Sequence, residues 1–210
     1  SDLIWASGDP VFGTVYTGSA LLDAGADGAD IGAHQDPLVL PLSANTYYVD
    51  GTAGDDARTP AEAQNPATPW ATISRAAQTA FAGDTVTVAA GAYAECVTVS
   101  NTGCAGYPLV FRADGAVTVD AGGGPHAFFL DRVNAVTLDG FACVGAANAA
   151  CQTVAASGGV FTNLTLRANA GRGLMLTGVS LFNRVSGCTA YGNAKEGFYF
   201  HRASGVTADV

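Results

Sequence analysis

The sequence has little charge, almost no lysine and almost no methionine. Only 13% of its 210 residues are charged, and it contains a single Met and a single Lys, Lys195. Long surface helices are usually rich in Lys and Glu, so this composition disfavours a helical protein. Abundant Ala, Val and Thr together with 27 Gly are typical instead of a β protein with many turns.

Positive charge is scarce as well, which excludes two classes of partner. The net charge is −9 and the isoelectric point lies near 4.4. Nucleic acids and anionic membranes are bound through Lys and Arg side chains that displace counterions. No apolar run approaches the roughly 18 residues that a membrane helix needs. We therefore expect no nucleic-acid partner and no membrane insertion.

Five cysteines are present, and four of them form two closely spaced pairs. Such short loops in a β protein of low charge favour two local disulfides, Cys96–Cys104 and Cys143–Cys151. Disulfides would indicate an oxidising compartment, so we expect an extracellular or cell-surface location. Cys188 is left as a buried thiol. The alternative is that all five are small buried core residues without any bridge.

One helix is predicted, near the start of the β-rich region. Residues 68–82 place apolar side chains at helical spacing, namely Ile73, Ala76, Ala77, Ala80 and Phe81. Thr68 is the expected N-cap, and Pro69 suits the first turn. From Gly83 onward the sequence consists of short β-rich runs between Gly, Asn and Asp. A single helix followed only by strands is expected to cap one end of a β stack.

Internal repetition sets the period of that stack. Residues 169–176 read NAGRGLML and residues 193–200 read NAKEGFYF, so one motif recurs after 24 positions. Apolar runs at a similar spacing start near Ala127, Cys151, Leu174 and Phe198. A period of this length corresponds to one coil of a solenoid with three short strands in each coil.

Asparagines recur near the ends of these coils, at Asn148, Asn169 and Asn193. Asn tolerates the left-handed backbone of tight turns, and its amide can hydrogen-bond to the coils above and below. We therefore expect an asparagine ladder along the solenoid. A β-sandwich, the competing all-β fold, would show a strand about every 8–12 residues without this long period.

Residues 46–106 carry a series of motifs that belongs to one known family. They comprise a Y-Y-V-D strand, a Gly- and Asp-rich loop, a P-W-x-T-I segment, and G-D-T-V-x-V followed by G-x-Y-x-E. This order resembles the opening of secreted right-handed parallel β-helix repeat proteins of the pectate-lyase-like type. The resemblance implies an all-β, right-handed parallel β-helix with one short N-terminal capping helix. The family includes lyases, epimerases and adhesins, so the resemblance is specific for fold and weak for activity.

The first 36 residues resemble the opposite end of such a solenoid. The segments LIWASGDPVF and TGSALLDAGADGADIGAHQ are similar to the closing coil of these proteins. Residues 1–36 are therefore predicted to be a closing segment that completes a preceding copy. Residues 37–45 would be a linker, and residues 46–210 the capping helix and coils, open at the C-terminal end.

This inverted order predicts head-to-tail assembly. Joining the C-terminus to the N-terminus of a following copy places Phe12 at position 222, which is 24 beyond Phe198 and keeps the period. A contact of this kind does not close on itself and generates a filament. The apolar residues expected at the joint are Leu3, Ile4, Trp5, Phe12, Val15 and Tyr16, packed against Phe198 and Phe200 of another copy. The alternative is a piece cut from a longer tandem protein.

Few residues suggest catalysis. Lyases of the resembled family use a Lys or Arg base beside Asp or Glu ligands of Ca²⁺, which neutralises a uronate carboxylate. The candidates for such a saccharide site lie on the last two coils and are Arg172, Lys195, Glu196, His201 and Arg202. Ordinary surface charges would explain these residues equally well.

Two acidic loops are candidate Ca²⁺ sites, because hard oxygen ligands on Gly-rich turns suit this ion. Their carboxylates are Asp23, Asp27 and Asp30 in the first loop, and Asp50, Asp55 and Asp56 in the second. The competing interpretation is that all six are solvated turn residues. No other cofactor is implied by the sequence.

Two functional hypotheses follow. The first, favoured by the inverted order and the poverty of catalytic residues, is an extracellular structural β-solenoid subunit without enzymatic activity. It would assemble head to tail into a filament or form one period of a tandem surface protein. The alternative is a polysaccharide lyase or epimerase that acts on an acidic glycan.

Overall fold

The computed structural model describes residues 44–209. The predicted closing segment, residues 1–36, and nearly all of the predicted linker lie outside this range. So do the predicted ligands of the first acidic loop and six of the predicted assembly residues, namely Asp23, Asp27, Asp30, Leu3, Ile4, Trp5, Phe12, Val15 and Tyr16.

Within residues 44–209 the chain forms short strands with one 3₁₀ helix (Glu62–Gln64) and one α-helix, α1 (Ile73–Thr79). The strands are β1 (Thr46–Val49), β2 (Thr85–Ala94), β3 (Val97–Val99), β4 (Leu109–Asp120), β5 (Phe128–Asp131), β6 (Val136–Val144), β7 (Ala149–Val154), β8 (Val160–Thr162), β9 (Thr165–Arg167), β10 (Arg172–Thr177), β11 (Ser180–Leu181), β12 (Arg184–Ser186), β13 (Thr189–Tyr191), β14 (Phe198–Phe200), β15 (Ala203–Ser204) and β16 (Thr207–Asp209).

The strands stack in parallel on three sides of a right-handed β-helix of about five turns. The first side contains β1, the N-terminal parts of β2, β4 and β6, and then β8, β12 and β16. The second side contains the C-terminal parts of β2, β4 and β6, followed by β9 and β13. The third side contains β3, β5, β7, β10 and β14. The predicted fold is therefore confirmed.

The corner between the first two sides depends on glycine. Gly115 in β4 and Gly140 in β6 both have positive φ, +92° and +85°. The β4–β6 register shifts between Arg112 and Val117, on either side of Gly115. Glycine adopts this backbone at little cost, so a continuous strand can turn the corner here.

The core is built from rows of inward side chains, one from each coil. On the first side Phe111, Leu138 and Phe161 lie in register and are fully buried. On the third side the register joins Phe128 to Cys151, Leu174 and Phe198, which are 23, 23 and 24 residues apart. Side chains alternate between core and solvent along each strand. The sequence period is thus the length of one coil, as predicted.

The capping helix is shorter than predicted and begins later. Its N-cap is Thr72, whose Oγ1 accepts a hydrogen bond from the Arg75 amide at 3.1 Å. Thr68 cannot cap it, because the next turn is held extended by a bridge between Trp70 and Val49. Phe81 lies beyond the end of α1 and is 58% exposed, so its predicted place on the buried stripe is wrong. With seven residues, α1 is too short to cross a membrane, and no other α-helix occurs in residues 44–209.

Two of the three predicted asparagines form a ladder. Asn169 is buried, accepts a hydrogen bond from the Ala146 amide at 2.9 Å, and donates one to Asn193 Oδ1 at 2.8 Å. Asn193 in turn donates to the carbonyl oxygen of Leu166. Asn148 was also expected in the ladder, but Ala146 stands at the equivalent place in its coil. The side chain of Asn148 points outward instead and donates to Gln152.

We expect the Asn169→Ala variant to lose about 1–3 kcal/mol of stability, because the buried Ala146 amide would lose its acceptor. Asn148→Ala, which removes an amide outside the ladder, is the matched control and should change stability less. Chemical denaturation of both variants measures the difference. Equal stability of Asn169→Ala and the parent would show that the ladder does not hold the coils together.

The predicted disulfides are absent: all five cysteines are free thiols. Cys143 and Cys151 both point into the core, yet their sulfur atoms are 3.7 Å apart, well beyond the roughly 2.05 Å of a disulfide. Cys96 and Cys104 are exposed in separate turns, where the Cys96 sulfur faces the Ala121 carbonyl and Cys104 pairs with Tyr107. The short spacing of Cys96 and Cys104 wrongly indicated a disulfide, because the two residues lie in different turns and their side chains have different neighbours. Cys188 is buried, as expected.

Native protein should therefore expose only Cys96 and Cys104 to a thiol reagent. A hydrogen bond to the Cys143 sulfur and burial both raise the pKa of Cys151, which keeps it as an unreactive thiol. Ellman titration should count two fast thiols in the folded protein and five after unfolding without reductant. Fewer than five thiols in the unfolded protein would mean that a disulfide does form.

Candidate functional site

The outer surface of the third side carries a row of side chains that crosses five coils. In register, this row consists of Thr98, Phe129, Gln152, Met175 and Tyr199, here called the outer row. Met175 is the one buried member, and its sulfur lies 3.8 Å from Arg172 Nη1. Neighbouring parallel strands are about 4.8 Å apart, so the outer row is a straight line of regularly spaced groups. These positions follow directly after the buried row that contains Phe128 and Leu174.

Arg172 organises the end of the outer row nearest to β14. Its Nε lies 2.8 Å from Glu196 Oε2, although the N–H bond does not point at that oxygen, so the contact is an ion pair. Its guanidinium carbon lies 4.3 Å from the centre of the Tyr199 ring. Only 20% of the Arg172 side chain is exposed. The Glu196 backbone N–H and the nearby Arg172 lower the pKa of Glu196, which keeps its carboxylate charged.

The other predicted residues surround the same strand. His201 stacks against Tyr199 with ring centres 6.1 Å apart, so Tyr199 contacts both Arg172 and His201. Lys195 lies in the turn before β14 and Arg202 in the turn after it, and both are exposed. The structure therefore brings Arg172, Glu196 and His201 together around an aromatic ring that was not among the predicted site residues.

A second cluster lies two and three coils earlier and was also missed. The ring of His126 stacks on Phe129, with centres 5.0 Å apart and an interplanar angle of 14°. Its Nδ1 lies 3.2 Å from the Ala149 carbonyl oxygen, which can only accept, so Nε2 of the neutral ring is left as an acceptor. Beside this pair, Asn148 donates to Gln152 Oε1 at 2.7 Å. The signal available in the sequence was the repeat: Phe129, Gln152 and Tyr199 each directly follow a member of the apolar row that contains Phe128, Cys151, Leu174 and Phe198.

The second acidic loop serves the backbone. Asp50 and Asp55 each accept hydrogen bonds from amides two or three residues ahead. Asp56 accepts from the amides of Ala71 and Thr72 and so fixes the start of α1. Residues 44–209 contain no group of three acidic, His or Cys side chains placed to hold a metal ion. Ca²⁺ binding by either acidic loop stays a prediction.

Charge is distributed unevenly along the chain. Residues 126–210 carry six Arg and Lys against four Asp and Glu, whereas residues 1–125 carry three against fourteen. The coils that contain Arg172 and Tyr199 are thus slightly positive in a strongly acidic chain. An anionic ligand is repelled least at this part of the solenoid.

Comparison with known proteins gives similarity at the level of fold. No protein-family model matches the sequence, and no curated protein matches it significantly. Three solved structures, each 17% identical, are similar. Pectate lyase Pel9A has a TM-score of 0.64 over 79% of this chain and 50% of its own. A rhamnogalacturonan lyase has 0.60 over 76% and 51%, and alginate lyase from Paenibacillus sp. str. FPU-7 has 0.58 over 66% and 55%. The chain spans about half the length of these proteins.

The stacked environment of His126 predicts a pH effect. Burial lowers the pKa of His126 below its usual value near 6.5. The unfolded chain then takes up a proton before the folded protein does, so stability contributed by this group is lost as the pH falls below about 6.5. Titration of the ring by NMR should give the lowered pKa. His126→Gln should lose less stability than the parent between pH 7.5 and 5, with His201→Gln as the control. An NMR pKa above 6.5 would contradict the assignment.

Proposed function

We propose that this chain belongs to a protein that cleaves an acidic polysaccharide, and that the glycan lies along the outer row. The observation that carries the proposal is the grouping of Arg172, Tyr199 and His201 on an outward face. The similar folds of pectate, rhamnogalacturonan and alginate lyases support a substrate of this class. They favour the glycan hypothesis over the structural one.

Arg172 is suited to bind a uronate carboxylate. A uronate loses its α-proton only when the neighbouring carboxylate is neutralised, and a guanidinium can do this through two parallel hydrogen bonds. The ion pair with Glu196 and the contact with the Tyr199 ring fix the guanidinium before substrate arrives. A donor held in place in this way needs no reorganisation during the reaction. The proposed step requires no metal ion.

His201 is the proposed base. It lies beside the ring that supports Arg172, and a neutral imidazole accepts a proton near pH 7. In the proposed elimination the C5 proton of the uronate passes to the imidazole. The C5–H electron pair forms the C4–C5 double bond, the bond from C4 to the glycosidic oxygen breaks, and that oxygen takes up a proton. An epimerase would instead return a proton to the opposite face of C5, so the products distinguish the two reactions.

The charges around the outer row support this placement. Lys195 and Arg202 are exposed on both sides of β14 and add positive charge where a glycan carboxylate would approach. Polysaccharides of this kind are extracellular, so we propose that the protein acts outside the cell or at the cell surface. This reason replaces the disulfides on which the location was first predicted.

The assembly hypothesis also involves β14, through the residues on either side of Tyr199. Of its predicted contact residues only Phe198 and Phe200 are described: Phe198 packs partly against the core, and Phe200 is 40% exposed. Its other partners are in residues 1–36, so head-to-tail assembly stays a prediction. A glycan on the outer row and an axial contact at the end of the solenoid do not exclude one another.

The test is to incubate the protein with polygalacturonate, alginate, rhamnogalacturonan and hyaluronan, and to record the ultraviolet absorbance of unsaturated uronates. Arg172→Ala should lower kcat/KM by about 10²–10³, the usual cost of losing a charge-stabilising donor. His201→Gln should lower it by about 10²–10⁴, as for a lost general base.

Arg184→Ala is the matched control, since it removes an exposed arginine from the first side of the solenoid. Its rate should equal that of the parent. If no glycan yields an unsaturated product, and NMR detects no change in uronate configuration, the proposed function is wrong.

A further inference from the structure

We propose that the glycan is a mixed polymer, in which uncharged sugars flank the uronate bound by Arg172. This inference rests on the proposed function and specifies its substrate class. It follows from the way that charge and shape change along the outer row. The end beside β14 has an excess of positive charge, whereas Phe129 of β5 and Gln152 of β7, here called the uncharged part, put an aromatic and an amide side chain into the outer row.

The strands of the uncharged part lack basic side chains. Within the described chain, β3, β5 and β7 of the third side contain neither Lys nor Arg. Arg132 follows β5 directly, but its guanidinium lies 2.8 Å from the Asp131 carboxylate, so the two charges balance. Around β14, Lys195 and Arg202 are exposed in addition to the Arg172–Glu196 pair and leave an excess of positive charge. A glycan carboxylate placed over β5 or β7 would therefore meet no such excess.

The uncharged part does provide groups that suit a neutral sugar. Phe129 and His126 stack with their ring planes 14° apart, and both side chains stay partly exposed, so the exposed part of this pair is an aromatic surface of the kind that packs against the C–H face of a pyranose ring. His126 Nε2 can accept a hydrogen bond from a hydroxyl group. The amide nitrogen of Gln152 can donate one, because Asn148 occupies only its oxygen. Ligand-binding sites typically combine a mainly apolar surface with a small number of polar groups that point towards the ligand.

The two parts are close enough to bind one short chain. Phe129 and Tyr199 are three strands apart in the outer row, which corresponds to about 14 Å at the strand spacing of a parallel sheet. An oligosaccharide with its uronate at Arg172 must therefore also cover Gln152 and Phe129. In a polymer made only of uronates, this would bring unpaired carboxylates onto the aromatic surface, which is unfavourable.

The experiment compares hexasaccharides by isothermal titration calorimetry with the whole chain. The probes are hexagalacturonate, a hexamer of alternating galacturonate and rhamnose, and a hexamer of alternating glucuronate and N-acetylglucosamine. We expect at least one mixed hexamer to bind ten times more tightly than hexagalacturonate, or better. Phe129→Ala should remove most of this preference.

A charge-matched pair of variants locates the effect. Gln152→Arg introduces a cation into the outer row and should shift the preference towards hexagalacturonate at least tenfold. Thr118→Arg adds the same charge to the second side, at a half-buried position, and should leave the preference unchanged.

The outcomes separate this inference from the proposed function. If hexagalacturonate binds as tightly as both mixed hexamers, or if the two arginine variants behave alike, the mixed-polymer inference is overturned while an acidic glycan remains the substrate. If none of the three hexamers binds and no glycan is processed, the proposed function itself is overturned.

Discussion

The structure depends on hydrogen bonding between parallel strands of successive coils. Each coil satisfies its backbone amides and carbonyls only through its neighbours, so the register has to be kept from coil to coil. Residues one period apart are then forced into a single row. Phe111, Leu138 and Phe161 form a buried row for this reason, and an insertion of one residue within a strand would turn such a row towards solvent.

The same constraint shapes the functional surface. Outward positions do not have to fill the core, and they are aligned at regular intervals that suit a linear ligand better than a compact one. At the corners the chain turns and some backbone amides and carbonyls lose their strand partners. Asparagine side chains provide hydrogen bonds to these groups. Asn183 provides an example beyond the Asn169 ladder. Its side chain is buried, accepts a hydrogen bond from the Gly159 amide, and donates one to the Ala156 carbonyl oxygen, both in the preceding coil. The proposed binding positions and the positions that stabilise the fold are thus different positions of the same repeat.

Much of the fold was predictable from the sequence. The period of 23–24 residues indicated the parallel coils, the local apolar pattern indicated one capping helix, and the charged residues around β14 were recognised as neighbours in the repeat. What failed depended on contacts between distant segments. The helix begins at Ile73 because Asp56 and Glu95, far apart in sequence, accept hydrogen bonds from the amides of Thr72 and Ile73. The direction in which Cys96 and Cys104 project could not be read from their spacing. The uncharged part of the outer row has no charged residue to mark it in the sequence, and only the equivalent places of Phe129 and Tyr199 in the repeat indicate it.

The acidity of the chain bears on which glycan it can accept. A protein of net charge −9 repels a polymer of uronates along its whole length, and the six basic residues of the last coils offset this only locally. Arg172, which lies beside the outer row and is only 20% exposed, is itself paired with Glu196, so under the proposed function it would bind a single carboxylate by geometry rather than by excess charge. A mixed polymer has a lower charge density and places uncharged rings where the row is apolar. Long-range repulsion and local contacts therefore favour the same class of ligand.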